Sequence, residues 1–276
     1  VSGLYFNNST TNYVGLFGYI GNGGKISNVG VVDSYFYGKN DVGGVCGYRY
    51  GSISNCYSAG AVSGYHNVGG VCGLHDYGVI SNCYSAGAVS GSVYVGGVCG
   101  YHNYGNISNC YSAGAVSGSD HVGGVCGYNY GTISNCYFNS EKCNKDAVGT
   151  NESGTVTNVE GKTTAQFASG EVCYLLNEGK TDGTQIWYQN LTPETGDQSP
   201  IWKATGGNTV YQVTKYSGCE HEPGTSVELY SNLNKDIYEG YTSEGTCPHG
   251  YQKADFNSTD NAYEIFHIRY SQYAKA

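Results

Sequence analysis

Short runs of small apolar residues, "VGGVCG", "TISNCY" and "AGAVSG", recur along the first half of the chain, each closed by Gly, Ser or Asn. Runs of this length bounded by turn residues predict strands, and no apolar period of 3.6 marks a helix face. The runs return in a fixed order. Aligned on "VGG", copies begin at Val42, Val68, Val95 and Val122. A first cysteine falls at Cys46, Cys72, Cys99 and Cys126, spaced 26, 27 and 27 residues apart. A second falls at Cys56, Cys83, Cys110 and Cys136, spaced 27, 27 and 26. A unit this short cannot bury its apolar side alone, so copies must stack. Degenerate copies flank the four. One spans 13–38, with Phe17 and Val29 in the cysteine positions, and the other spans 147–159. Atypical end units suit a stack whose terminal units have one neighbour.

Leucine-rich repeats are excluded because the four full copies contain only Leu74. A propeller blade needs four strands, more than this period supplies. The predicted class is therefore all-β, a parallel β-solenoid (β-helix) with rungs of 26–27 residues. Each side chain stacks on its counterpart one rung away, about 4.8 Å distant. Two segments vary between copies. "YRY", "LHDY", "YHNY" and "YNY" differ in length, while "YHN", "SVY" and "SDH" do not. Variation in length and identity predicts surface turns, which would leave His66, His75, His102 and His121 solvated.

"VGGVCGYNYGTISNCY" followed by "AGAVSG" resembles the GLUG repeat of large bacterial surface and secreted proteins. The likeness covers about residues 13 to 159, with cysteine in "VGGVCG" where the usual motif has valine. It implies a β-solenoid in an extracellular, cell-wall-linked or adhesin-like bacterial protein. It names an architecture and not an activity.

Composition narrows the chemistry. The chain has 276 residues, 44 Gly, 29 Tyr, no Met and a net charge of -9. That charge offers no basic surface for nucleic acid or anionic membrane, and no apolar stretch is long enough to span a bilayer. The sequence opens in mid-pattern, as a mature or excised piece of something longer would. Between Val42 and Phe138 the charged residues are Arg49, Asp76 and Asp120. No carboxylate pair suits glycoside hydrolysis, no acidic cluster suits Ca²⁺, and no nucleophile-elbow, zincin or phosphate-loop string occurs. The expectation is a protein that is not an enzyme and has no cofactor.

Twelve cysteines suit an oxidising compartment. Their paired replacement in the first copy fits either interior positions for small hydrophobes or in-rung disulfides. The in-rung set, favoured over free thiols, is Cys46–Cys56, Cys72–Cys83, Cys99–Cys110 and Cys126–Cys136. Bonds between like cysteines of adjacent rungs are a third arrangement, since the rung spacing lies within disulfide range. Two tyrosine files run in register, Tyr50, Tyr77, Tyr104 and Tyr130 beside the first variable segment, and Tyr57, Tyr84, Tyr111 and Tyr137. They form a surface aromatic ladder that either covers the wall or offers a stripe to glycan or a neighbouring subunit.

The texture changes after the repeats. Three regions are predicted, a solenoid over 1–161, a helical cap over 162–179 and a β-rich C-terminal domain over 180–276. Thr163 and Gln166 read as a capping box, "EVCYLLNE" as helical, and Gly179 as its stop. Trp187 and Trp202 would build the C-terminal core, and Cys143 and Cys173 would pair across the junction. Cys219 and Cys247 read as a disulfide in preference to a zinc site with His221 and His249, whose C-x-H spacing is unusual for zinc. The leading functional expectation is a non-enzymatic structural or adhesive module whose partner is itself, head to tail, or a host or cell-surface glycan or protein. The N-terminal edge is covered either by residues missing from this chain or by a neighbour; if Val1 is the true start, residues 261–276 of another subunit donate a strand to it. The alternative is a glycan-binding or accessory region of a larger secreted enzyme such as a peptidase.

Overall fold

The computed structural model describes residues 1–180, 184–190 and 197–202, with the backbone of four further strands at Tyr211–Tyr216, Cys219–Glu220, Val227–Asn232 and Gln252–Lys253. The chain divides into two compact units, 1–167 and 168–276.

Asparagine sets one corner of every rung in the first unit. Asn28, Asn55, Asn82, Asn109, Asn135 and Asn158 all have φ between 50° and 56°. Among L-residues asparagine is one of the few that visits this left-handed region readily. Six such corners mark six turns of a parallel β-solenoid. A second left-handed corner falls at Tyr13, Asp41, Asn67, Tyr94 and His121. There Asn67 Nδ2 donates to Asp41 Oδ1 of the rung before at 2.7 Å.

Three parallel sheets form the walls. One holds Tyr5–Asn7, Tyr35–Tyr37, Ala61–Ser63, Val89–Ser90 and Val116–Ser117. A second holds Asn40–Gly43, His66–Gly69, Val93–Gly96 and Asp120–Gly123. The third and largest contains Phe17–Ser27, Cys46–Ser54, Cys72–Ser81 and their successors through Thr155–Lys162. Pairing is like on like: Ile80 stands opposite Ile53 and Ile107, and Val95 opposite Val68 and Val122. The degenerate copies keep register too, Phe17 on Cys46 and Val148 on Cys126.

The interior is narrow. A Cβ on Gly97 would overlap the Ser112 side chain and the Gly124 carbonyl oxygen. Gly44 and Gly70 sit against Ser58 and Ser85 in the same way, so the second glycine of each "VGG" lets two walls meet.

Helix α1 (Thr164–Ala168) follows the last rung. Its capping box is reciprocal: Thr163 N donates to Gln166 Oε1 at 2.9 Å, and Gln166 N to Thr163 Oγ1 at 3.2 Å. Phe167 is buried against the Tyr111 ring, 5.7 Å between centroids. Gly170, at φ 89°, separates α1 from helix α2 (Glu171–Leu176) in the second unit, so the helical stretch is two short pieces. Gly179, at φ 71°, follows α2.

In the second unit Trp187 pairs with Trp202 across an antiparallel ladder, and both are buried. Buried Asn177 ties this ladder to α2. Its Nδ2 donates to Cys173 O and Trp187 O, and its Oδ1 accepts from the Ile186 and Trp187 amides. Strand Tyr211–Tyr216 pairs antiparallel with Val227–Asn232, and Cys219–Glu220 with Gln252–Lys253. His221, Cys247, His249 and the segment 261–276 lie outside the described residues, and Cys219 is followed only as backbone, which leaves the Cys219–Cys247 bond and the zinc alternative undescribed.

Candidate functional site

In the first two full copies the segment expected to be a surface turn runs through a wall strand, whereas in the next two it bends between strands, from Cys99–His102 to Asn106–Ser108 and from Cys126–Asn129 to Thr132–Asn139. Cys46–Ser54 and Cys72–Ser81 are continuous strands, and the extra residue of "LHDY" is absorbed by a bulge where the register shifts between His75 and Gly78. A bulge accepts one residue without opening the ladder. Alternation across this strand turns Tyr48 and Tyr50 outward and Arg49 inward. In register with Arg49 stand Ile20 before it and His75, His102, Asn129 and Asn151 after it. Arg49, His75, His102 and Asn129 are fully buried. The expectation that His75 and His102 are solvated is therefore corrected: they lie inside the solenoid, while His66 and His121 line the outer wall.

This file is polar and sparsely satisfied. Arg49 Nη1 and Nη2 both donate to Val79 O at 3.1 Å, and Arg49 Nε has no hydrogen-bond partner. The His75 and His102 rings stack with centroids 4.6 Å apart. Backbone groups of Tyr77, Gly105 and Thr132 approach the rings, but none of the four ring nitrogens makes a hydrogen bond of good geometry. Burial therefore dominates their protonation. It pushes His75 well below the ordinary histidine range, with the Arg49 charge adding to it, and lowers His102 to about 4. Both are neutral at pH 7. Asn129 and Asn151 are better served, with Asn129 Nδ2 donating to Asn151 Oδ1 at 2.7 Å. Glycine makes room for these side chains, since a Cβ on Gly131 would overlap His102 Nε2 and one on Gly154 would overlap Asn129 Nδ2. The sequence pattern alone does not mark Arg49 as an interior residue. The signal for it is Ile20, the apolar residue at the same place in the degenerate first copy.

Two cysteine files flank this polar one. Cys46, Cys72, Cys99 and Cys126 are Cα partners rung to rung, with Phe17 and Val148 at the ends. In the other file the Cys56 amide faces Cys83 Sγ and the Cys83 amide faces Cys110 Sγ, both at 3.4 Å. The ten described cysteines, Cys143 and Cys173 included, are buried thiols. The in-rung bonds expected from the sequence are not made. Parallel stacking sets each thiol beside its counterpart in the next rung, and the two thiols of one rung donate to separate carbonyls, Cys46 to Tyr48 O and Cys56 to Ser54 O. Among the described residues no three His, Cys, Asp or Glu side chains gather as a metal site.

The tyrosine files part company. Tyr57, Tyr84 and Tyr111 stack at 4.8 and 4.9 Å with nearly parallel planes, but Tyr111 and Tyr137 are buried, so this file is not a surface ladder along its length. The other file is exposed in its middle, Tyr77 at 45% and Tyr104 at 49%. A further outer file was not singled out from the sequence. Tyr101 stacks on Tyr128 at 5.4 Å, and Tyr94 meets both edge-on. Tyr48 Oη donates to Asp76 Oδ2 at 3.1 Å, and Asn103 Nδ2 donates to Asp76 Oδ1 at 2.7 Å. Asp76 thus ties its own rung to both neighbours. Burial and that carboxylate raise the Tyr48 phenol to about 12.

The N-terminal end differs from all of this. An apolar cavity of about 430 Å³ opens there, lined by Leu4, Phe6, Tyr13, Val14, Leu16 and Phe36 among others. Around it Tyr5, Phe6, Tyr13, Phe17 and Tyr19 are exposed.

The sequence profile of the GLUG motif matches residues 64–90, 91–117 and 118–141. These rungs are GLUG repeats. The like-on-like register carries the same architecture through the degenerate rungs on either side. Over 73 residues, 26% of this chain, the sequence is 37% identical to halomucin of Haloquadratum walsbyi, and that stretch is 1% of halomucin's length. Among solved structures, a proposed immunoglobulin A1 protease from Bacteroides ovatus is similar at a TM-score of 0.49 and 24% identity, over 72% of this chain and 61% of that one.

Proposed function

We propose that the chain is a non-enzymatic structural module of an extracellular or cell-surface protein, a GLUG rod that associates through its N-terminal face. The observation carrying this reading is the apolar mouth of the first rung. Its lining residues are the first members of interior files: Val14 precedes Val42, and Phe6 precedes Phe36 and Val62. Strands Tyr5–Asn7 and Phe17–Ser27 each have a described partner on one side only; in a protein that natively starts at Val1 their free backbone groups would be ready to pair with another strand, whereas in a longer one a preceding rung would take that place. A neighbouring copy that supplies a parallel strand with apolar side chains at alternate positions, as Phe266, Ile268 and Tyr270 are spaced, would continue the files. Residues 261–276 are the proposed donor, by β-augmentation. Different patches meeting in this way form a heterologous contact, which propagates or closes into a ring. A glycan platform is less favoured, because the stacked tyrosines cover one another's faces.

Sedimentation across a wide concentration range, with negative-stain imaging, tests the reading. Association should grow with concentration and fall away both in Phe6→Lys and on deletion of 261–276, with the circular dichroism of the solenoid retained. A wild-type chain monomeric at every concentration overturns it.

A further inference from the structure

We infer that the eight solenoid cysteines are built to close as disulfides running along the rod axis, Cys46–Cys72, Cys99–Cys126, Cys56–Cys83 and Cys110–Cys136. Like cysteines occupy directly opposed positions on neighbouring parallel strands. Such strands lie about 4.7–4.9 Å apart, inside the Cα separation of about 4.4–6.8 Å that disulfides accept. In the second file the sulfurs of Cys83 and Cys110 each sit 3.4 Å from the amide of the counterpart one rung before.

The files also have ends. Phe17 and Val148 close one, and Val159 stands beside Cys136 in the other, so each file holds four thiols. Pairing from either end uses all four. A central Cys72–Cys99 bond would strand Cys46 and Cys126 with apolar neighbours.

The chemistry is thiol–disulfide exchange with a low-molecular-weight disulfide such as oxidised glutathione. A Cys72 thiolate attacks one sulfur of the oxidant and releases one thiol. The Cys46 thiolate then attacks the Cys72 sulfur of the mixed disulfide and releases the second. Two protein thiols lose two protons and two electrons, and the oxidant is reduced to two thiols. Because the closed solenoid buries these sulfurs, exchange takes place as the rungs zip together.

The test is peptide mapping of the full chain by mass spectrometry without reduction, after refolding in a glutathione redox buffer. Cross-linked peptides should join the four named pairs, each pair two hydrogens lighter than the free thiols. In Cys72→Val, which copies the Val148 position, Cys46 should become free to alkylation after unfolding while Cys99–Cys126 persists. In-rung links, a dominant Cys72–Cys99 link, or alkylation of all eight thiols in refolded wild type would each overturn the inference. A Cys46–Cys56 link in the variant would do so as well.

Discussion

Two interior files of the same sheet, a few residues apart, behave in opposite ways. Ile26, Ile53, Ile80, Ile107 and Ile133 repeat one residue, whereas the neighbouring file reads Ile20, Arg49, His75, His102, Asn129 and Asn151. Backbone register is the same for both. The fold is therefore held by the constant isoleucines, the asparagine corners and the close-contact glycines, and one interior position is released for polar side chains. That release has a cost. A buried group without good hydrogen bonds loses its hydration, and His75 and His102 pay it by staying neutral.

The contrast can be broken from the constant side first. Ile80→Ala removes a fully buried side chain between two identical neighbours. It should destabilise the solenoid by about 2–5 kcal/mol in denaturant unfolding. The variable side should show itself through pH. His102 is lowered to about 4 when folded, against 6.5 as its reference. Between those values the unfolded chain binds the proton and the folded chain does not, so stability is complete above about pH 6.5 and falls as the pH drops towards 4. The loss should approach about 3 kcal/mol, and His102→Asn, which copies the next rung, should remove that share of it. Gly97→Val should cost about 1–3 kcal/mol by overpacking the Ser112 and Gly124 contact. The smallest effect is expected at a corner. Asn82→Ala, at φ 52°, should cost about 1 kcal/mol, and Asn82→Gly less.

The sequence made the period, the parallel stack and the degenerate end rungs legible, because like residues must meet on adjacent strands. The capping spacing of Thr163 and Gln166 likewise made the helix start legible. Pattern alone failed at "YRY" and "LHDY", where variable length reads as a turn but the strand runs on, while "YHNY" and "YNY" do bend between strands. A bulge can absorb the extra residue inside a wall, and Gly131 conceals its purpose until His102 of the rung before is seen beside it. Tyr111 and Tyr137 were misplaced for a related reason: in-register tyrosines show that a file exists but not what covers its end.

Nuclear magnetic resonance titration of the histidine rings tests most directly whether the variable file lies inside the solenoid. His102 should stay neutral down to about pH 4, and His75 should also resist protonation far below the usual histidine range. Titration of both rings near pH 6.5 in the folded protein would return "LHDY" and "YHNY" to the surface and contradict the account.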